Sequence, residues 1–412
     1  MKKIFLMLFL LVVLSSCKEA ANILGVDIDS SLTYPDETMP KKTFNVFTFG
    51  VSDNVIGKTS QFYKVAEYPK LDIYVEKYSG YKPESVDYIA NVFNNNYAEE
   101  VRIYGEHTDV DNNGKIIILL FEINASYSGA ITTGYFYGDD LLDGKNNNAE
   151  ILYMDIKKVN EDPKYMAGTI QHEFQHLINY NVNYIQNNRE MSTWLNEALS
   201  ESTSLLFSQT TVDSRINEFN TVTLGYYCFY TWNLPLQDIF ANYPSVSVFM
   251  NWLYQKSGKN SSVFQNIARY SPAEDYDRLL NNVKGGTGAS SWDDLLLKWI
   301  EGVANGEVEG ANIYKQKENN NINLYPGAVV AYDGTLNQTG NLVTRKLSSG
   351  LELALNKDTY VGDTPSSINI TTPQGSSTQT SKMYKTVSKD DKPYIPKYRH
   401  ILFDKDGKIK EY

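Results

Sequence analysis

The sequence predicts an α+β fold: a sheet first, then a group of helices, then strands again towards the C-terminus. Three observations point to it. As far as Asp155 the apolar residues sit in short β-branched and aromatic runs. From Tyr165 to Ala304 they recur at three- and four-residue intervals, the period of a helix with one buried face. Beyond about Ala311 short strand-like runs return, separated by Gly-containing turns. The chain has 412 residues, 42% of them hydrophobic and 13% aromatic, so it can bury a sizeable core over two or three domains.

The first sixteen residues have the form of an export signal. Lys2 and Lys3 are followed by an unbroken apolar run, Ile4 to Leu14, too short for an ordinary membrane span. Leu14-Ser15-Ser16-Cys17 resembles the lipobox of bacterial lipoproteins, which implies that Cys17 is acylated and becomes the mature N-terminus. The expected location is therefore the bacterial cell envelope, with the protein lipid-anchored to a membrane. Residues 17–42, polar with Pro35 and Pro40, read as a tether. A catalytic body is expected over 43–310 and a β-rich region over 311–412.

Strands are predicted at Phe44–Phe49, Leu71–Val75, Lys115–Phe121 and Ile151–Asp155, with a helix from Glu84 to about Asn96. Helices follow at Tyr165–Asn181, Thr193–Phe207, Val246–Lys256 and Trp292–Ala304, the second with Ser192 as its N-cap. Strands return at Ala328–Tyr332, Leu342–Leu347 and Leu351–Leu355. The Ser/Thr/Gln tract from Thr364 to Ser381 reads as a long loop. Ile401–Phe403, a turn at Asp406-Gly407 and Lys408–Tyr412 suggest a terminal hairpin.

Net charge is −11, a surface that repels phosphate backbones and disfavours nucleic-acid binding. If Cys17 is lipidated, Cys228 is the other cysteine and has no partner for an internal disulfide. Its aromatic surroundings, Tyr226 to Tyr230, suggest a buried inert thiol.

His172-Glu173-Phe174-Gln175-His176 carries the chemistry. Residues four apart on a helix share a face, so two imidazoles can hold one zinc ion, and the Glu between them can take a proton from a water beside it. Glu197 and Glu201 follow on the next helix in Asn196-Glu197-Ala198-Leu199-Ser200-Glu201. This resembles the gluzincin signature N-E-x-x-x-[DE], although many gluzincins have Gly where Ala198 stands. The resemblance implies Glu197 as the third ligand and Glu201 as hydrogen-bond acceptor for a ligating imidazole.

The HEFQH helix, the WLNEALSE helix and an upstream Asp109-Val110-Asp111-Asn112-Asn113-Gly114-Lys115 together resemble the hyicolysin family of bacterial metallopeptidases, from about Gly105 to Phe207. That resemblance implies a zincin-like catalytic body, zinc, and a protein or peptide substrate; a monomer is the expected state. Glu173 is then the general base. No His lies between His176 and His400 to support an oxyanion, so a Tyr is expected there: Tyr243, with Tyr227 and Tyr230 as rivals. Asp109, Asp111 and Asn113 place oxygen donors at alternate positions before Gly114, as at the start of a calcium loop, but Leu120 stands where a calcium loop has its bidentate Glu. The alternative is a plain Asn-Gly turn, with nearby His107 a structural polar residue. Two other functions stay open: a surface-binding lipoprotein with an idle peptidase fold, and a zinc hydrolase of non-peptide substrates.

Overall fold

The structure is a computed structural model that describes residues 31–50, 55–124, 131–221, 226–229, 232, 241–316, 319–336, 341–357, 367–373, 385–387 and 398–403. Cys17, the export signal, Tyr230 and the second half of the expected terminal hairpin lie outside these residues. So does most of the Thr364–Ser381 tract.

The fold is mixed α+β. The first sheet contains β1 (Lys41–Phe49), β2 (Val55–Glu67), β3 (Leu71–Glu76), β4 (Ile116–Phe121), β5 (Ile131–Phe136), β6 (Ile151–Asp155) and β14 (Tyr398–Leu402), in the order β1-β2-β3-β4-β6-β5-β14. β3, β4 and β6 run parallel, and β5 is antiparallel to β6. The long helix α1 (Pro83–Tyr104) connects β3 to β4. It begins before Glu84, with Pro83 in its first turn, where a missing N–H is harmless. It runs eight residues past the expected end and closes at Gly105, whose φ is 117°.

β4 shows why its sequence is an uninterrupted apolar row. Ile116, Ile118 and Leu120 enter the core shared with the helices; Ile117, Leu119 and Phe121 enter a second core with Phe44, Phe62, Tyr135 and Tyr153. Both faces are covered, so there is no polar face to alternate with. β2 was not legible in the sequence for the opposite reason. Of its thirteen residues only Phe62 and Tyr63 are buried, and its polar string Lys58-Thr59-Ser60-Gln61 is exposed or half-buried.

From β6 the chain passes through α2 (Ile156–Glu161) into α3 (Pro163–Asn179). Asp155 caps α2 by accepting from Lys158 N–H, and Asp162 caps α3 by accepting from Tyr165 N–H. α3 therefore starts two residues before the predicted Tyr165. It continues into a π-helical turn, Tyr180–Ile185. Phe174 anchors α3 to α1, with ring centroids 5.1 Å from Phe93 and 5.6 Å from Tyr97. Burial of such a ring contributes roughly 1.5–3 kcal/mol.

The helical part continues with α4 (Thr193–Phe207), α5 (Gln209–Phe219), α6 (Asn242–Lys256), α7 (Ser262–Ala268), α8 (Asp275–Thr287) and α9 (Trp292–Ala304). Ser192 holds the cap position of α4, but its hydroxyl makes no cap bond; its N–H donates to Asp275 instead (2.7 Å). Gly168 lets α5 approach α3 closely, since a Cβ there would run into Thr211 and Ser208.

The C-terminal strands β7 (Tyr314–Gln316), β9 (Val329–Tyr332), β10 (Leu342–Lys346), β11 (Glu352–Asn356) and β13 (Lys385–Val387) form a second sheet, and β8 (Asn321–Leu324) pairs with β12 (Ile368–Thr371). Val329 and Ala331 reach the main core, whereas Val330 and Tyr332 pack in a third cluster with Cys228. Cys228 is buried, as expected, with its sulfur 3.7 Å from the carbonyl of Pro326. β14 returns to the first sheet and pairs in parallel with β5; Phe403 just beyond it packs on Tyr137, ring centroids 4.8 Å apart. Among the described residues no helix is long and apolar enough to cross a membrane.

Candidate active site

α3 and α4 pack side by side and bring His172, His176 and Glu197 together. One ligand-type atom from each lies within 4.8 Å of the others. The two Nε2 atoms are 3.1 Å apart, and Glu197 Oε2 lies 3.3 Å from His172 Nε2 and 3.8 Å from His176 Nε2. All three side chains are buried. Such a donor set, two imidazoles and one carboxylate at a single point, suits zinc with a coordination position left for water.

The other ring nitrogens are held from behind. His172 Nδ1 faces Glu201 Oε1 at 3.5 Å. His176 Nδ1 lies 3.1 Å from Asn196 Oδ1 and 3.0 Å from Ser200 Oγ. An acceptor at Nδ1 keeps the proton there and leaves the Nε2 lone pair turned towards the common point. Burial first, then His176 and the Arg215 guanidinium, hold His172 well below the usual histidine range, so it is a neutral donor.

Glu201 is itself clamped. Arg215, from α5, donates to it through Nε (2.9 Å) and Nη2 (2.6 Å), while Nη1 reaches Glu218 (2.9 Å). Burial still pushes Glu201 upward despite that guanidinium. Arg215 also lies 5.3 Å from the centre of the Tyr243 ring.

Glu173 is buried beside these groups and accepts a hydrogen bond from the backbone N–H of Phe136, at the end of β5. Burial, then the negative neighbours Glu197 and Glu201, raise its carboxyl well above the usual range. Tyr243, in the first turn of α6, is buried with its ring against Trp232 (5.1 Å). Burial raises its phenol most, and the negative charges of Glu197, Glu201 and Glu173 add to this while Arg215 opposes it. The Tyr227 hydroxyl instead accepts from Tyr314 N–H, and its ring stacks on Phe219 at 5.0 Å. A pocket beside His176, walled by Phe136, Asn179, Tyr184, Arg189, Met191 and Phe403, opens next to this cluster.

No protein-family model matches the chain. Part of it is similar to a metalloprotease. A 193-residue stretch is 31% identical to the neutral metalloprotease ShpI of Staphylococcus hyicus, covering 44% of this chain and 44% of that protein. The matched region thus spans less than half the length of the relative.

Several residues of this arrangement were not singled out in the sequence. Arg215 lies on α5, a helix whose weak apolar pattern hid it; the Arg215–Glu218 pair at three-residue spacing was the available signal. Ser200 lay inside the quoted motif without being assigned a task. The backbone N–H of Phe136 leaves no trace in a sequence.

The expected calcium ligands divide. Asp109 and Asp111 stand together, but the exposed Asn113 turns its amide back onto its own loop. Its Oδ1 accepts from Lys115 N–H (2.6 Å) and its Nδ2 donates to Asp111 (2.7 Å). The side chain that joins the two aspartates is Glu150, just before β6. His107 is a structural residue, with Nε2 2.5 Å from the Tyr97 hydroxyl.

Proposed function

We propose that this chain is a zinc metallopeptidase of the gluzincin type, similar to the hyicolysin family, with a zincin-like body. The convergence of His172, His176 and Glu197 on one buried point, with Glu173 beside it, carries the reading. The likeness to a neutral metalloprotease supports it.

His172 and His176 would hold zinc through Nε2 and Glu197 through a carboxylate oxygen. When bound there, zinc supplies Lewis acidity that polarises a water and the scissile carbonyl. Glu173 takes the proton of the attacking water onto its carboxylate. The same carboxyl then hands that proton to the leaving amine. Tyr243 would donate a hydrogen bond from its hydroxyl to the developing oxyanion. Arg215 and Glu201 hold the His172 ring, and the buried setting excludes bulk water, strengthening each of these interactions.

Casein turnover by the purified chain is expected to stop on dialysis against a chelator and to return on addition of zinc. Turnover unaffected by zinc removal would reject the zinc dependence, and no turnover in the zinc-loaded protein would reject a peptidase and favour the idle-fold or non-peptide readings.

The lipobox-like sequence supports attachment to a membrane through Cys17. Cys17→Ser should abolish acyl labelling in an expressing bacterium and shift the protein to the soluble fraction. Absence of label on the unaltered protein would overturn the anchor.

A further inference from the structure

Away from the histidines, Asp109, Asp111 and Glu150 each offer a carboxylate oxygen, and the three oxygens lie within 4.8 Å of one another. Asp109 is exposed and Asp111 partly covered, while Glu150 is only 1% exposed. Negative charges this close repel, and burial together with the nearby Glu150 raises the Asp111 carboxyl. Among the described residues no Lys, Arg or His nitrogen forms an ion pair with any of the three; Lys42 eases Asp111 only from farther off. Lys115, the cation in the loop, is turned instead to Glu67 and Asp72.

The hydrogen bonds that these carboxylates accept come from the loop itself. Val110 N–H donates to Glu150 Oε1 (2.8 Å), Gly114 N–H to Asp109 Oδ1 (3.0 Å), and Asn113 to both oxygens of Asp111. The second oxygen, Glu150 Oε2, is buried with no hydrogen-bond partner. The hydroxyl of Thr108, next to Asp109, is also buried without one. A buried carboxylate oxygen that meets neither a donor nor a cation is costly, so Glu150 Oε2 calls for a positive ligand in this acidic cluster.

We infer that Asp109, Asp111 and Glu150 form a binding site for a divalent cation of the calcium class. The three donors are all carboxylate oxygens, the set preferred by hard cations over zinc. Calcium accepts irregular mixtures of carboxylates, carbonyls and water, whereas magnesium demands a near-regular octahedron. The missing Glu of a contiguous calcium loop is replaced here by Glu150, an acid from the segment that leads into β6.

The site would clip the loop before β4 to the start of β6. That loop also meets the far end of α3: Asn181 Nδ2 donates to the Glu106 carbonyl (2.8 Å), and Gly105 lies against Val182. The cation thus braces the neighbourhood of the candidate active-site helix without touching a reactant, and its predicted effect is on stability.

The test uses the full chain, stripped with a chelator, resupplied with zinc, and melted with and without millimolar calcium chloride. Calcium should raise Tm by roughly 2 °C or more. Glu150→Gln keeps the shape and the Val110 bond but lowers the charge, and should lose the shift; Asp111→Asn, on the exposed side, guards against a folding defect in the first variant. Terbium luminescence excited through tyrosine should report binding about tenfold or more weaker in both variants, with zinc content unchanged. No Tm rise in the unaltered chain, a rise retained in both variants, or an equal response to magnesium would overturn the assignment.

Discussion

Glu173→Gln is expected to lower casein turnover roughly 100- to 10,000-fold, the range a general base contributes, while zinc stoichiometry stays at that of the unaltered protein. The separation of the two readouts follows from position. Glu173 takes its hydrogen bond from Phe136 N–H and is not one of the three convergent donors, so an amide in its place keeps the metal site but cannot accept the water's proton. Tyr243→Phe in the same assay should lower kcat with little change in KM, by about 100-fold if its hydroxyl meets the oxyanion. Substantial turnover by Glu173→Gln, or loss of zinc with it, would reject its assignment as base. Unchanged kcat in Tyr243→Phe would return Tyr243 to a packing role.

The two acids of α4 should fail in different ways. Glu197→Ala leaves two protein donors, and zinc should be lost on dialysis against a weak chelator. Glu201→Ala should weaken zinc about 10- to 100-fold, as expected for an acid that orients a ligating imidazole. The structure adds a second consequence: Arg215, 2% exposed, loses a two-bond carboxylate partner and keeps, among the described residues, Glu218 as its ion-pair partner. Removing one member of a buried pair costs about 3–5 kcal/mol, so Glu201→Ala should melt well below the unaltered chain. Glu201→Ala combined with Arg215→Met should recover part of that stability without restoring zinc affinity. If Glu201→Ala loses zinc irrecoverably while Glu197→Ala keeps it, the two roles are exchanged. An unchanged Tm in Glu201→Ala would mean that the Arg215 contact contributes nothing to the fold.

Legibility followed burial. β4, β6, α4 and α9 were read almost to the residue, because their apolar periods are strong and their ends are marked. β2 and α5 escaped because few of their side chains are both apolar and buried, which leaves little period to read. The candidate calcium set shows a limit of another kind. Alternate acids in a loop were visible, but nothing local could say that Glu150, some forty residues on, joins them.

By itself the sequence determined the mixed α+β class, the spacing of His172, Glu173 and His176 on one helix, and the offset of Glu197 and Glu201 on the next. These are facts of period and neighbourhood along one chain, and helical geometry fixes their consequences within a turn or two. Only the tertiary structure decided which nitrogen each imidazole presents, that Arg215 stands behind Glu201, that the end of β5 meets Glu173, and that Glu150 completes an acidic cluster. Each of these contacts joins residues whose separation is set by how α3, α4 and α5 pack and how parallel strands align. Sequence spacing carries no information on that packing, because many loop paths would bring different partners to the same helix face.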